Sequence, residues 1–253
     1  QYWYGSEWGS HHGDDIRLLP VSVPISSQYH NAVRIGMATR LRGEKDVVMA
    51  YTGDGGTSQG DFHEALNFAG VYKTPTVFVI QNNQYAISVP RVMQTASKNY
   101  AVKALAYGMP GILVDGNDIF AMVAISRWAV EYARENGPVL IEAYTFRMGA
   151  HTTSDDPTKY RTDEDVEPWI AKDPMIRFEK SLINKGLLKE DEIEPLIEQF
   201  EDEVMEAYRS IEHSSDTEID EIFKYHYAEM TPQLQDQLDE YLVYLKGADS
   251  NAQ

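Results

Sequence analysis

The sequence predicts an α/β fold, a mainly parallel sheet flanked by helices, with a helical C-terminal extension. Three observations carry that expectation. Short runs of β-branched and apolar residues recur along the first two thirds of the chain. Stretches with an apolar stripe at helical spacing lie between them, which implies βαβ units. Beyond about residue 165 the sequence turns acidic and helical throughout. Two domains are therefore expected, residues 1–165 and 166–253.

The elements follow in order. Residues 1–24 are irregular, an aromatic-rich start punctuated by Gly5, Gly9, Gly13, Pro20 and Pro24. A helix is expected from about Ser26 to Leu41, with Ser26 or Ser27 as its cap. Four strands are expected at "VVMAYT" (47–52), "TVFVIQ" (76–81), "GILVD" (111–115) and "VLIEAYTF" (139–146). They are apolar almost throughout, as strands buried on both faces should be. Phe62, Ala65, Leu66 and Ala69 place one apolar stripe on a helix, and "AMVAISRWAVEYARE" (121–135) reads the same way. A polar stretch, "RMGAHTTSDDPTKYRTDED" (147–165), then leads into acidic helices at about 173–185, 190–212 and 232–246.

Composition narrows the function. The chain has 253 residues, 43% of them hydrophobic and 25% charged, enough for a sizeable core. It has no cysteine, so disulfides, thiolate metal sites and a cysteine nucleophile are excluded, and a reducing cytosol fits. No apolar run reaches bilayer length and no stretch reads as a signal peptide, so a membrane role is not expected. The first residue is Gln1, which suggests a processed or trimmed piece of something longer. The formal net charge is −18, and its distribution is uneven. Residues 190–253 hold 19 of the 40 acidic side chains but only three basic ones, Arg209, Lys224 and Lys246. The acidic surplus argues against nucleic-acid binding, which needs a basic footprint. A solvated helical face explains the acidic tail better than a docking surface for a basic partner.

The stretch "VVMAYTGDGGTSQGDFHEALNFAG" (47–70) runs a strand into an aspartate boxed by glycines and then into a helix. Dinucleotide-binding spacing would need a glycine where Ser58 stands, and no G-K-[ST] is present. Alone, the turn reads as a strand-to-helix connection. The next strand ends "VIQNNQYAIS" (79–88), which puts Asn82 and Asn83 at its carboxyl end as Asp54 follows the one before. In a parallel sheet those ends share one edge, where open α/β folds bind ligands. A carboxylate and an amide carbonyl are hard oxygen donors suited to Mg²⁺. Gly55 and Gly56 would let backbone N–H groups approach a diphosphate at the start of a helix. The plain alternative for Asn82 and Asn83 is a polar turn.

GDG followed by NN at this separation resembles the thiamine-diphosphate motif of decarboxylases and 2-oxo-acid dehydrogenases. "FRMGAHTTSDDPTKYR" (146–161) is similar to a loop of the alpha subunit of the decarboxylating component of pyruvate and branched-chain 2-oxo-acid dehydrogenase complexes. The resemblance covers nearly the whole chain. It implies that Asp54, Asn83 and the Tyr85 carbonyl hold Mg²⁺, that Gly55 and Gly56 face the diphosphate, and that Arg147 lies near it. It also implies that Ile25 props the bent cofactor, with Val23 near its aminopyrimidine. His151 matches the loop histidine at the mouth of the site and would be catalytic. As a histidine, it has a side chain suited to proton exchange with a carbonyl substrate or a lipoyl sulfur. Without the loop match it would read as a surface histidine, as His11 and His12 do. Arg147 could instead pair with Asp155 and Asp156.

Oxidative decarboxylation of a 2-oxo acid, with acyl transfer to the lipoyl arm of an acyltransferase component, is the implied activity. "GDGGTSQGDF" and "QNNQYAIS" are similar to bacterial pyruvate enzymes, whereas "HTTSDDPTKYR" is compatible with pyruvate or branched-chain acids. The resemblance further implies two alpha and two beta chains, with the beta subunit supplying the glutamate that activates the cofactor. The family's aromatic and arginine contacts to the diphosphate lie upstream of Gln1, so an N-terminally truncated domain is expected. A cytoplasmic location goes with the bacterial type, a mitochondrial matrix being the other place for such complexes. A non-catalytic cofactor-binding or assembly subunit is the reading from another class.

Overall fold

Ser27–Leu41 forms the first helix, α1, in a computed structural model that describes residues 16–19, 22–212 and 219–250. His11, His12 and the glycine-rich start fall outside the described residues. Ser26, a cap candidate from the sequence, stands at the N-cap position of α1 but makes no side-chain cap bond. It is buried at φ 69°, a left-handed conformation uncommon for a residue with a Cβ. Its hydroxyl is committed elsewhere, donating to the Gly56 carbonyl at 2.9 Å.

The chain then alternates as the sequence pattern requires. β1 (Val48–Gly53) passes through a 3-10 turn (Asp54–Ser58) into α2 (Gly60–Tyr72), and β2 (Thr76–Asn82) follows. A small antiparallel hairpin, β3 (Tyr85–Ala86) and β4 (Val89–Pro90), leads into the short helix α3 (Arg91–Gln94) and a 3-10 segment (Ala101–Tyr107). β5 (Gly111–Asp115), α4 (Ile119–Asn136) and β6 (Val139–Tyr144) complete the sheet. Its order is β1-β2-β6-β5 and every adjacent pair is parallel.

Alternation along β2 splits the core. Phe78 and Ile80 pack with Tyr29, Phe62, Leu66 and Leu140 on one face, while Val77 and Val79 pack with Ala129, Ala133, Val139 and Ile141 on the other. β2 and β6 are buried on both faces, as their composition predicts. β1 and β5 are not, although their sequences look alike. They are the sheet edges, and their exposed positions include Tyr51 and Leu113. The register pairs Gly53 with Gln81 and Asn82 with Tyr144, so the segments after β1, β2 and β6 leave the sheet at one edge.

One further helix starts at the end of the polar stretch, where none was expected from the sequence. α5 (Asp163–Ile170) begins at a capping box between Thr162 and Asp165. Pro168 within it and Asp in place of the usual Glu or Gln masked the signature. α6 (Pro174–Asn184) is capped by Asp173, and its Arg177 pairs with Asp115 at 2.8 Å and Asp118 at 3.1 Å. Residues 22–190 form one compact unit. The described residues from 191 onward belong to a second, with α7 (Ile193–Glu212), α8 (Glu221–Lys224) and α9 (Pro232–Ser250). Among the described residues no helix is long and apolar enough to cross a membrane.

Candidate functional site

β1 delivers Asp54 to the carboxyl edge of the sheet, and the turn that follows tucks its side chain inside. The carboxylate is 1% exposed, and its Oδ2 accepts from Gln94 Nε2 at 2.7 Å. Burial pushes its pKa up, against the opposing pull of the Gln94 hydrogen bond, nearby backbone N–H groups and the Arg147 charge. A buried carboxylate bonded by neutral N–H groups is costly unless a cation completes it.

Two glycines bring other segments against that turn. A Cβ on Gly55 would lie 2.7 Å from the Ala86 Cβ, so the turn after β1 packs directly on the β3 strand that contains Tyr85. A Cβ on Gly56 would meet Thr52 Oγ1 at 2.1 Å, Ser26 Oγ at 2.5 Å and Ile25 Cγ2 at 3.2 Å. Ile25 therefore stands beside Gly56 while 57% exposed, and Val23, two residues earlier, is also exposed.

The two asparagines after β2 have different tasks. Asn82 is buried, and its Nδ2 donates to Glu142 Oε1 at 2.6 Å while its Oδ1 accepts from the Gln84 backbone and side chain. Glu142 is itself fully buried in β6, and its other oxygen accepts from the Ala101 N–H at 2.8 Å. Asn83 lies further out, with Oδ1 accepting from the Tyr85 N–H at 3.1 Å. The backbone turns through left-handed Gln84 (φ 74°) and Ile87 (φ 56°), which holds the Tyr85 carbonyl at the loop.

Arg147, just past β6, reaches that carbonyl with Nη1 at 3.3 Å and bonds the Ile87 carbonyl with Nη2 at 2.6 Å. Its Nε is buried with no hydrogen-bond partner. The alternative pairing of Arg147 with Asp155 runs through a hydroxyl. Arg147 Nη2 meets Tyr160 Oη at 2.9 Å, and that hydroxyl donates to Asp155 Oδ2 at 2.6 Å. Asp155 also accepts from the His151 N–H at 2.8 Å, and these bonds hold its carboxyl below the usual range. Asp156 is occupied in capping Thr158. His151 is exposed, on a loop whose backbone is anchored by this carboxylate and by Arg161.

The structure thus gathers Ile25, Asp54, Gly55, Gly56, Tyr85 and Arg147 around one turn, with Asn83 in the connecting loop and His151 on the outer one. Sequence reasoning missed four residues that hold them. Gln94 sits on a four-residue helix with no motif around it. Glu142 lay hidden in an apolar strand, where its charge was the available signal. Ser26 read as a cap. Arg161 ends the recognised loop, is 7% exposed, bonds the Arg147, Met148 and Gly149 carbonyls, and lies over the Phe146 ring at 5.4 Å.

Comparison with known proteins follows the same line. A family model described as "Dehydrogenase E1 component" matches residues 2–220. The chain is 46% identical over 249 residues to a pyruvate dehydrogenase E1 component subunit alpha of Acholeplasma laidlawii, covering 97% of this chain and 72% of that one. It is 44% identical to a 3-methyl-2-oxobutanoate dehydrogenase subunit alpha of Mycobacterium tuberculosis, covering 98% and 68%. A pyruvate dehydrogenase E1 component subunit alpha of Bacillus subtilis is 43% identical, with 92% and 63% covered.

Proposed function

The chain belongs to the dehydrogenase E1 component family, and from that premise we propose that it is the alpha subunit of a thiamine-diphosphate-dependent 2-oxo-acid dehydrogenase acting on pyruvate. The observation that carries the reading is the buried Asp54 carboxylate in a glycine turn packed on the Tyr85–Ala86 strand. Asp54, Asn83 and the Tyr85 carbonyl are three hard oxygen donors, and together with water and phosphate oxygens they suit Mg²⁺. The orphan Nε of Arg147 fits an anionic neighbour, and the Gly55 and Gly56 turn leads into α2, whose N-terminus favours one.

When bound, thiamine diphosphate supplies a stabilised carbanion and an electron sink for decarboxylation. This chain's residues do the rest of what is proposed. Asp54, Asn83 and the Tyr85 carbonyl hold the metal, and Arg147 orients the diphosphate. Val23 and Ile25 offer exposed apolar surface to the organic body of the cofactor. His151, exposed on its loop, gives a proton to a lipoyl sulfur as the acyl group arrives. The beta chain of an assembly with two alpha and two beta subunits contributes the activating glutamate, and the lipoyl-bearing acyltransferase is the second partner. A cytoplasmic location of the bacterial type goes with this reading.

Branched-chain 2-oxo acids are the second reading, favoured by the Mycobacterium tuberculosis relative. Turnover of the alpha–beta assembly on pyruvate and on 3-methyl-2-oxobutanoate decides between them, with faster decarboxylation of pyruvate expected. Titrating thiamine diphosphate with the beta chain absent and present tests against a non-catalytic module, since turnover should need both chains. Replacing Asp54 tests the metal site. Asp54→Ala removes the one formal charge among its donors, so cofactor affinity should collapse while the fold persists. Unchanged affinity would overturn the assignment.

A further inference from the structure

We propose that Gln94 is a positioning residue that fixes which oxygen of Asp54 faces the cation, an inference that rests on the Mg²⁺ reading above. The geometry is one-sided. Gln94 Nε2 donates to Asp54 Oδ2 at 2.7 Å and to the Val89 carbonyl at 3.0 Å. Its Oε1 accepts from the Tyr100 hydroxyl at 3.3 Å. Both faces of the amide are therefore specified. A flipped amide would set its oxygen against a carboxylate and a carbonyl, neither of which can donate, and its NH₂ against the one hydroxyl.

Tyr100 is fully buried, its ring beneath the Arg91 guanidinium at 5.7 Å, so the hydroxyl that sets the amide is itself fixed. Arg91 in turn bonds the Ser97 and Lys98 carbonyls and closes the loop between α3 and the 3-10 segment. The consequence lies at Asp54. With Oδ2 engaged by the Gln94 N–H, the carboxylate would offer a metal chiefly Oδ1 and favour single-oxygen coordination. Mg²⁺ demands a near-octahedral shell with short, well-aimed bonds, whereas Ca²⁺ accepts two oxygens of one carboxylate and a looser shell. Gln94 therefore tunes the site toward the smaller ion.

The test uses the alpha–beta assembly saturated with thiamine diphosphate and titrated calorimetrically with MgCl₂ or CaCl₂. Gln94→Met keeps the length of the side chain and removes the donor. Mg²⁺ affinity should fall about 10- to 100-fold, the usual cost of losing a group that orients a metal ligand. Ca²⁺ affinity should fall less, so the preference for Mg²⁺ shrinks. Tyr100→Phe keeps the buried ring and removes the hydroxyl, and should shift the same ratio in the same direction by a smaller factor. An unchanged Mg²⁺ affinity, or equal losses for both ions as a general disturbance would give, overturns the role of Gln94. Asp54→Ala runs alongside. If it too leaves Mg²⁺ binding intact, the metal reading itself fails. If it abolishes binding while Gln94→Met does not alter it, only the positioning role falls.

Discussion

His63 on α2 lies with Nδ1 2.5 Å from the Tyr107 hydroxyl, against the edge of the Phe62 ring. Burial lowers its pKa first and the Lys103 charge lowers it further, while a hydrogen bond with the Thr57 backbone opposes them. The folded protein thus resists protonating a ring that the unfolded chain protonates at its ordinary value, about 6.5. The sign follows: the unfolded state binds the proton first, so stability is full above that value and declines as pH falls below it. His63→Gln should flatten the dependence of the unfolding midpoint on pH between about 7 and 5. An unaltered slope in urea titrations at several pH values would remove His63 from the account. Other residues near the site were only partly readable. Gly55 and Gly56 were visible as backbone-approach positions, but packing against Ala86, Ser26 and Thr52 already forbids a side chain at either. The sequence showed two adjacent asparagines and could not show that Asn82 turns inward to Glu142 while Asn83 stays in the loop.

At the scale of elements, periodicity located α1, α2, α4 and the four parallel strands, because each buries a face whose spacing is written in the chain. What it could not supply was strand order. β1 and β5 are as apolar as β2 and β6 but end at the edges, a property of the neighbours and not of the strand. The joint between elements is Glu142, which accepts from Asn82 after β2 and from Ala101 at the 3-10 segment. A Glu142→Gln side chain has the same shape but one oxygen, so an N–H would face an N–H. The loss should cost about 1–3 kcal/mol, the range for leaving a buried hydrogen-bonding group unsatisfied. Thermal unfolding would register it as a drop of about 2–4 °C per kcal/mol for a chain of this size. A midpoint equal to that of the unsubstituted chain would mean that these bonds do not hold the strand ends together.

The whole chain leaves apolar surface at the site mouth, with Val23, Ile25, Ile87 and Val89 all exposed. Scattered exposure is ordinary, but Ile25 beside Gly56 and Val89 beside Gln94 suit the proposed site, completed by cofactor and partner chain. On the proposed reading, groups encoded elsewhere would cover this surface, and one sequence cannot express them. That incompleteness also decides how His151 must be tested, in the alpha–beta assembly with each half-reaction measured separately. Decarboxylation draws mainly on the cofactor, whereas opening a lipoyl disulfide needs a proton donor. The proposed role of His151 belongs to the second step; its side chain is exposed while its backbone N–H is tied to Asp155. His151→Ala should spare much of the decarboxylation followed with an artificial electron acceptor. Acylation of the lipoyl domain should drop by about two to four orders of magnitude, as expected on losing a general acid. Asp155→Asn serves as the companion. It weakens the loop anchor without touching the imidazole, so it should lower acyl transfer less than His151→Ala does. Rapid-mix measurements of both steps separate the outcomes, because equal losses in the two half-reactions of His151→Ala would make it an ordering residue and end its role as the proton donor.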